Sequence, residues 1–168
     1  GALALNAGAH GGETWGRVRK VMTVDRAGRL RERLPADFQV GYRQVDGPRE
    51  EWFLAVELDL EAGEPAACQS RIRDLLERRN HSQPIGQPSC GSVFRNPPGD
   101  YAARLIEAAG LKGECEGGAQ VSTRHANFII NTGGASAHDI LRLMRAGVAS
   151  QSGVTLRTEV HFIGGETA

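Results

Sequence analysis

The segment Pro88-Ser89-Cys90-Gly91-Ser92-Val93-Phe94-Arg95-Asn96-Pro97-Pro98-Gly99-Asp100 sets hydroxyls, a thiol, a guanidinium and an amide among three prolines and two glycines. Proline fixes φ and glycine opens conformations closed to other residues, so such a segment presents a side chain at one place with little entropy left to lose. Ser92 is the reactive group in question. Its surroundings are not the Gly-x-Ser-x-Gly elbow of serine hydrolases, and spacing assembles no Ser-His-Asp set. Two charged positions stand out beside it. Arg43 sits in Gly41-Tyr42-Arg43-Gln44 ahead of a strand, and Glu159 belongs to the polar face of the last strand. Each has a plain structural reading as well: Ser92 as a turn hydroxyl bonded to backbone, Arg43 as a solvated turn residue, Glu159 as a surface partner of Arg157 or His161.

The glycine-rich loop Asn6-Ala7-Gly8-Ala9-His10-Gly11-Gly12-Glu13 is built of residues that let backbone N–H groups approach a phosphate or a flat ring. It is neither a Walker loop nor the Gly-x-Gly-x-x-Gly dinucleotide fingerprint, and it suits a tight turn equally.

Composition narrows the classes. A chain of 168 residues with 40% hydrophobic content makes one ordinary domain or two small ones. Twenty acidic and twenty basic residues cancel, so no global field points to nucleic acid or to an anionic membrane. No apolar run approaches the roughly 18 residues of a membrane span, and no signal peptide is visible, so a cytoplasmic location is the default expectation. Cys68, Cys90 and Cys115 are odd in number and far apart, which fits reduced thiols, and the five histidines are too scattered for a metal site. The opening GALALNAGAHGGE reads as a short apolar strand running into the glycine loop, with no methionine, so the expectation is a chain that begins partway through a larger fold.

The elements that must position these groups follow from periodicity. Leu54, Val56, Leu58 and Leu60 alternate with Ala55, Glu57 and Asp59, the pattern of a strand with one buried face. Ahead of it, Val18 to Val24 is β-rich and Asp25-Arg26-Ala27-Gly28 is a hairpin turn. Pro65 opens a helix carrying Cys68, Ile72, Leu75 and Leu76 and ending at Glu77-Arg78-Arg79-Asn80. Residues 81–99 lack periodicity, which puts a domain junction near residue 80. Asp100 is the expected N-cap of a helix with Tyr101, Leu105, Ile106 and Ala109, stopped by Gly110. Asn127–Asn131 reads as a buried strand, and Ser136 with Asp139 as a capping pair before Ile140, Leu141, Met144 and Val148, with Gly153 ending the helix. In the last strand Val154, Leu156, Val160 and Phe162 share one face, leaving Thr155, Arg157, Glu159 and His161 on the other. Without regular βαβ alternation the fold class is α+β, with mainly antiparallel strands.

Five stretches, GALALNAGAHGGE, GYR, PSCGSVFRNPPGDYAARLIEAAGLKG, GGAQVSTRHANFIIN and LRTEVHFIG, in this order resemble the motifs of the UDP-N-acetylenolpyruvoylglucosamine reductase family. The resemblance covers nearly the whole chain, to the C-terminal part of the family and to its compact branch. It implies residues 1–80 as the remainder of an α+β FAD-binding domain and 81–168 as a smaller α+β substrate-binding domain. The first flavin subdomain, a partner within the same protein, would lie outside this chain. The implied activity is that of an NADPH-dependent flavoprotein oxidoreductase of peptidoglycan precursor synthesis, in which FAD passes hydride to the enolpyruvyl group of a UDP-sugar. By the same resemblance Ser92 is the proton donor, with Arg43 and Glu159 as the other catalytic positions. Asn6, Gly8, Ala9, Gly11 and Gly12 fall to the cofactor, and Tyr42, Arg95, Asn96, Gln120 and His125 to the substrate. A structural role is open for Gln120 and His125, and Arg95 stands where the family often has lysine. The lysine that some members place near the diphosphate is not evident around Asn80 to Ser82, where Arg78 or Arg79 would have to substitute. Two other readings stay open. One is a nucleotide-sugar-binding fragment without catalysis, the other a scaffold piece that self-associates through an uncovered apolar face.

Overall fold

The computed structural model describes residues 1–161, without the side chains at 137, 139, 142 and 143. They form two compact units, residues 1–72 and residue 73 onward. The architecture is α+β with antiparallel sheets throughout. Among the described residues no helix is long and apolar enough to cross a membrane.

In the first unit the opening residues are turns rather than the expected strand. Leu5 N–H donates to Gly1 O at 3.1 Å and Ala7 N–H to Ala2 O at 2.9 Å, so these hydrogen bonds close locally, as in turns. A minimal hairpin follows, β1 (Gly8–Ala9) against β2 (Gly12–Glu13), turned by His10 at φ 53° and Gly11 at φ 83°. Such two-residue hairpin turns need positive φ at both central positions, which is why glycine is found there. Trp15 then starts the small core, with Val18 and Val21 buried beside it and Leu3, Phe38, Val45 and Phe53 packed around them. The Trp15 and Phe38 rings lie 4.8 Å apart and Phe38 and Phe53 5.5 Å.

Strand β3 (Val18–Asp25) turns through the predicted hairpin into β4 (Leu30–Arg33). The Asp25 carboxylate accepts from Ala27 N–H and Arg29 N–H at 2.9 and 3.0 Å, and Gly28 supplies φ 76°. A second hairpin, β5 (Gln39–Gly41) with β6 (Gln44–Asp46), puts Tyr42 and Arg43 at its tip, and β7 (Glu51–Leu58) completes a sheet in the order β4-β3-β7. The alternation marks β7 correctly as a strand, but the face it predicts as buried is not. Leu54, Val56, Leu58 and Leu60 are 59%, 39%, 42% and 70% exposed. Met22 pairs with Ala55 but Thr23 with Phe53, so the ladder bulges at Leu54 and Phe53 enters the aromatic cluster instead.

Helix α1 (Pro65–Ser82) opens at Pro65, where a missing N–H does no harm, and runs two residues past Asn80 with Ile72 and Leu76 exposed. In the second unit β8 (Ser89–Ser92) breaks the segment expected to be irregular. It joins β9 (Cys115–Glu116), β10 (Ala119–Val121) and β11 (Phe128–Asn131) in the order β8-β11-β10-β9. Strands of two to four residues carry too few alternations for a period to show. Against them pack α2 (Ala102–Ala108) and α3 (Ala137–Ser152), enclosing Phe94, Ile106, Val121, Met144, Val148 and Leu156.

Two caps differ from expectation. Tyr101, not Asp100, holds the N-cap position of α2, and its orphan donors are met from further away. Asn96 Oδ1 accepts from Ala102 N–H at 3.0 Å, while the Asp100 carboxylate accepts from Tyr101 N–H at 2.7 Å and pairs with Arg104. Ser136 is the N-cap of α3 but its hydroxyl makes no capping bond, whereas Gly153 ends that helix at φ 68° as expected. Beyond it the described residues, to His161, form an isolated antiparallel bridge, Thr158 to Phe94, rather than a regular strand. Its faces divide in part as predicted: Leu156 is buried and Val154 and Val160 pack on the core, while Thr155, Arg157 and His161 are exposed, but Glu159, expected on the exposed face, is half-buried. Phe162 lies outside the described residues.

Glu51 ties the first unit's sheet together. Its carboxylate accepts from Thr23 Oγ1 on β3 at 2.6 Å and from Arg33 Nη2 on β4 at 2.5 Å. The Arg33 hydrogen bond, followed by that of Thr23, holds its pKa down, to about 2 against an ordinary 4.5. A carboxylate depressed on folding contributes stability above its unfolded pKa and loses it as pH falls through the folded value. Acid titration of stability by circular dichroism should therefore show a decline between pH 4.5 and 2 that Glu51→Gln flattens.

Candidate functional site

Ser92 ends β8, not a loop as its glycine- and proline-rich surroundings suggest, and pairs with Phe128 of β11. Ser89 pairs with Ile130, so β8 spends three steps where β11 spends two, and the extra residue lies next to Gly91 at φ 79°. Bulges of this kind turn the following side chain to a new direction. Among the described residues the Ser92 hydroxyl has no hydrogen-bond partner, so its reading as a turn hydroxyl bonded to backbone does not hold.

Glu159 lies on the neighbouring segment: its N–H donates to Val93 O at 2.8 Å, one residue from Ser92. Arg95 N–H donates to Arg157 O at 2.9 Å, and its buried Nε has no hydrogen-bond partner among the described residues. Buried guanidinium donors are rarely left unpaired, so Arg95 is suited to an anion or a polar ligand. Asn96 is committed to α2 through its Oδ1.

Gln120 Nε2 donates to Gly113 O at 3.2 Å, a structural bond. His125 Nδ1 accepts from Asn127 N–H at 3.3 Å, which leaves the proton on Nε2. Its ring packs edge-on to Phe128 at 4.7 Å, and burial lowers its pKa, so it is neutral near pH 7.

Arg124 is the residue that sequence reasoning passed over. Its Nη1 donates to Asn80 O at 3.0 Å in the last turn of α1 and to Gln83 O at 3.3 Å just beyond it, placing a cation at the C-terminal end of that helix. Only its charge within Ser122-Thr123-Arg124 signalled it. Arg79 is engaged with Gln83 at 3.0 Å. A cavity of about 410 Å³ lies at the β8 edge, with Cys90, Val93, Ile129, Leu141 and Val160 in its wall, and includes neither Ser92 nor Glu159. Burial pushes the Cys90 thiol up, so it stays protonated at neutral pH.

The remaining candidates gather in the first unit. Arg43 Nη1 donates to Asn6 O at 3.2 Å and Nη2 to Gly8 O at 3.1 Å, so the guanidinium braces the glycine hairpin. Asn6 is buried, donates to Glu13 and Gly41 O at 2.8 and 3.1 Å, and accepts from Trp15 N–H at 3.1 Å. Gly8 is obligatory, since a Cβ there would stand 2.8 Å from Gly12 O and 3.1 Å from the Arg43 guanidinium. Ala9, Gly11 and Gly12 are exposed, and nothing lies within 4 Å of where a Gly11 Cβ would be. The outer side of the hairpin is thus open to a group that approaches backbone closely. Arg43 itself has φ 56°, a region where glycine is favoured, with Tyr42 exposed at its side. Strain of this kind persists where something other than local preference selects the residue.

Residues 83–163 match the family described as UDP-N-acetylenolpyruvoylglucosamine reductase, C-terminal domain. The UDP-N-acetylenolpyruvoylglucosamine reductase of Alkalilimnicola ehrlichii is 66% identical over 98% of this chain and 56% of its own length. That of Methylococcus capsulatus is 59% identical over 98% and 55%. The crystal structure of UDP-N-acetylenolpyruvylglucosamine reductase from Thermus caldophilus superposes with a TM-score of 0.82 at 34% identity, over 96% of this chain and 58% of that one. The chain spans about half the length of the curated relatives it matches.

Arg43→Lys keeps the charge but loses the fork that reaches two carbonyls at once. Hydrogen exchange across residues 6–14 should quicken roughly fivefold, for the loss of about 1 kcal/mol, while amides of the second unit keep their rates.

Proposed function

The chain belongs to the UDP-N-acetylenolpyruvoylglucosamine reductase family, and on that premise we propose that its protein reduces UDP-N-acetylglucosamine enolpyruvate to UDP-N-acetylmuramate. This is a cytoplasmic step of peptidoglycan precursor synthesis, with NADPH as the reductant, and so serves cell-wall growth, cell shape and division. The observation that carries the reading is the identity with named reductases along 98% of the chain, joined to a serine hydroxyl that has no hydrogen-bond partner among the described residues, one residue from the backbone bond between Val93 and Glu159.

FAD, when bound, supplies the hydride. Asn6, Gly8, Ala9, Gly11 and Gly12 are proposed to receive it, and the open outer side of their hairpin suits a phosphate or a flat ring against backbone. Residues 1–80 are then the remainder of the flavin-binding domain and 81–168 the substrate-binding domain. A preceding flavin subdomain of the same protein is the proposed partner of the exposed Leu54–Leu60 face, which suits the greater length of the relatives.

Ser92 gives its proton to the carbon next to the substrate carboxylate. A serine hydroxyl is a feeble acid in water, but the carbanion it meets is strongly basic, so placement matters more than a tuned pKa. The Arg43 guanidinium stabilises negative charge that spreads onto the carboxylate. Glu159 helps by orienting a donor toward the substrate. Tyr42, Arg95, Asn96, Gln120 and His125 are proposed to line the UDP-sugar, with the unpaired Arg95 Nε as the donor best suited to an anionic group.

In the full-length enzyme, Ser92→Ala should leave flavin reduction by NADPH intact and lower turnover of the UDP-sugar by about 100- to 10,000-fold. Undiminished turnover removes Ser92 from its role. Calorimetry of this chain with UDP-sugar, with and without FAD, addresses the binding reading: sugar uptake with no flavin uptake would assign the chain to a non-catalytic module.

A further inference from the structure

We propose that Asn127 is a positioning residue for Ser92, a role that rests on the reading of Ser92 as proton donor. Its buried amide bonds the two successive peptide groups that flank the Phe94 Cα: Phe94 N–H donates to Asn127 Oδ1 at 3.0 Å, and Asn127 Nδ2 donates to Phe94 O at 2.8 Å. Its own carbonyl accepts from Val93 N–H at 2.9 Å. Strand β11 begins only at Phe128, so the amide extends the ladder by one position with a side chain in place of backbone.

A core position needs no amide for packing. Asn127 is 3% exposed amid Val93, Phe94 and Ala126, where an apolar residue would fill the space but leave the buried Phe94 N–H and C=O without these partners. What the amide adds is direction. Its two ends are used on the two successive peptides that meet at the Phe94 Cα, which fixes their orientation as well as their distance. From the other edge Glu159 N–H meets Val93 O at 2.8 Å, and Thr158 bridges Phe94. The two residues after Ser92 are therefore bonded on both sides, and the bulge at Gly91 precedes it. Since the Ser92 hydroxyl has no hydrogen-bond partner among the described residues, its place is set by the backbone alone, and Asn127 is the side chain that sets that backbone. His125 Nδ1, accepting from Asn127 N–H, anchors it in turn.

The test uses the full-length enzyme with Asn127→Asp, which keeps size and the acceptor for Phe94 N–H but replaces the donor by an oxygen facing Phe94 O. Flavin reduction by NADPH should stay within twofold, while the substrate-dependent step slows about 10- to 100-fold with KM little changed. The solvent deuterium isotope effect on that step should rise as proton delivery becomes limiting. Hydrogen exchange at Val93 and Phe94 should quicken at least about tenfold relative to Ile129 and Val121, a readout independent of activity. In the Ser92→Ala background, Asn127→Asp should add less than about a twofold further loss, because a residue acting through another is silent once that other is gone. Gly91→Ala, strained at φ 79°, should give the same split and serves if Asn127→Asp does not fold. A neutral Asn127→Asp with a crippled Ser92→Ala overturns this inference alone. Equal losses in both half-reactions, or a full further loss in the Ser92→Ala background, overturn it as well. A neutral Ser92→Ala overturns the proton-donor reading and this inference with it.

Discussion

Backbone N–H and C=O groups buried away from water must be paired, and around residues 93–95 that requirement is met from two unlike neighbours. One is the end of the sheet, where the Asn127 side chain stands in for a strand that has not yet begun. The other is the segment at 157–160, which carries Glu159. Pairing from both edges leaves that backbone no freedom to drift. What is proposed for Ser92 and Glu159 builds on this backbone, since Glu159 N–H is bonded to Val93 O, one residue from Ser92.

The first unit is held by a different logic, in which polar side chains tie loops rather than strands. Arg43 braces the glycine hairpin, and buried Asn6 connects Glu13, Trp15 and Gly41 in one network. The small aromatic core of Trp15, Phe38 and Phe53 lies beneath it. Where the polar ties are local the sheet is thin, and the apolar residues of β7 and α1 stay largely in water.

Both halves place glycine where backbone comes closest. A Cβ on Gly118 would stand 1.5 Å from Gly133 O, and Gly8 is similarly confined by Gly12. Such positions are invisible in a hydrophobicity pattern, because what forbids a side chain there is a segment distant in sequence. The same is true of Arg124, whose partners at Asn80 and Gln83 are brought to it by the fold.

By itself the sequence determined the elements whose signals are local. Proline at Pro65 and glycine at Gly110 and Gly153 bounded helices, Asp25 to Gly28 bent a hairpin, and alternation at Leu54–Leu60 and Val154–Val160 marked extended chain. Motif order also made the family legible. Tertiary structure decided what depends on the opposite side of a contact: that the leucines of β7 are exposed, that Asn96 rather than Asp100 bonds the first turn of α2, that β8 exists at all, and that an asparagine grips the peptide beyond Ser92. The division has a physical cause. Chain stiffness and hydrophobic period act over a few residues, whereas burial and hydrogen-bond pairing are properties of two surfaces, and only folding says which two meet.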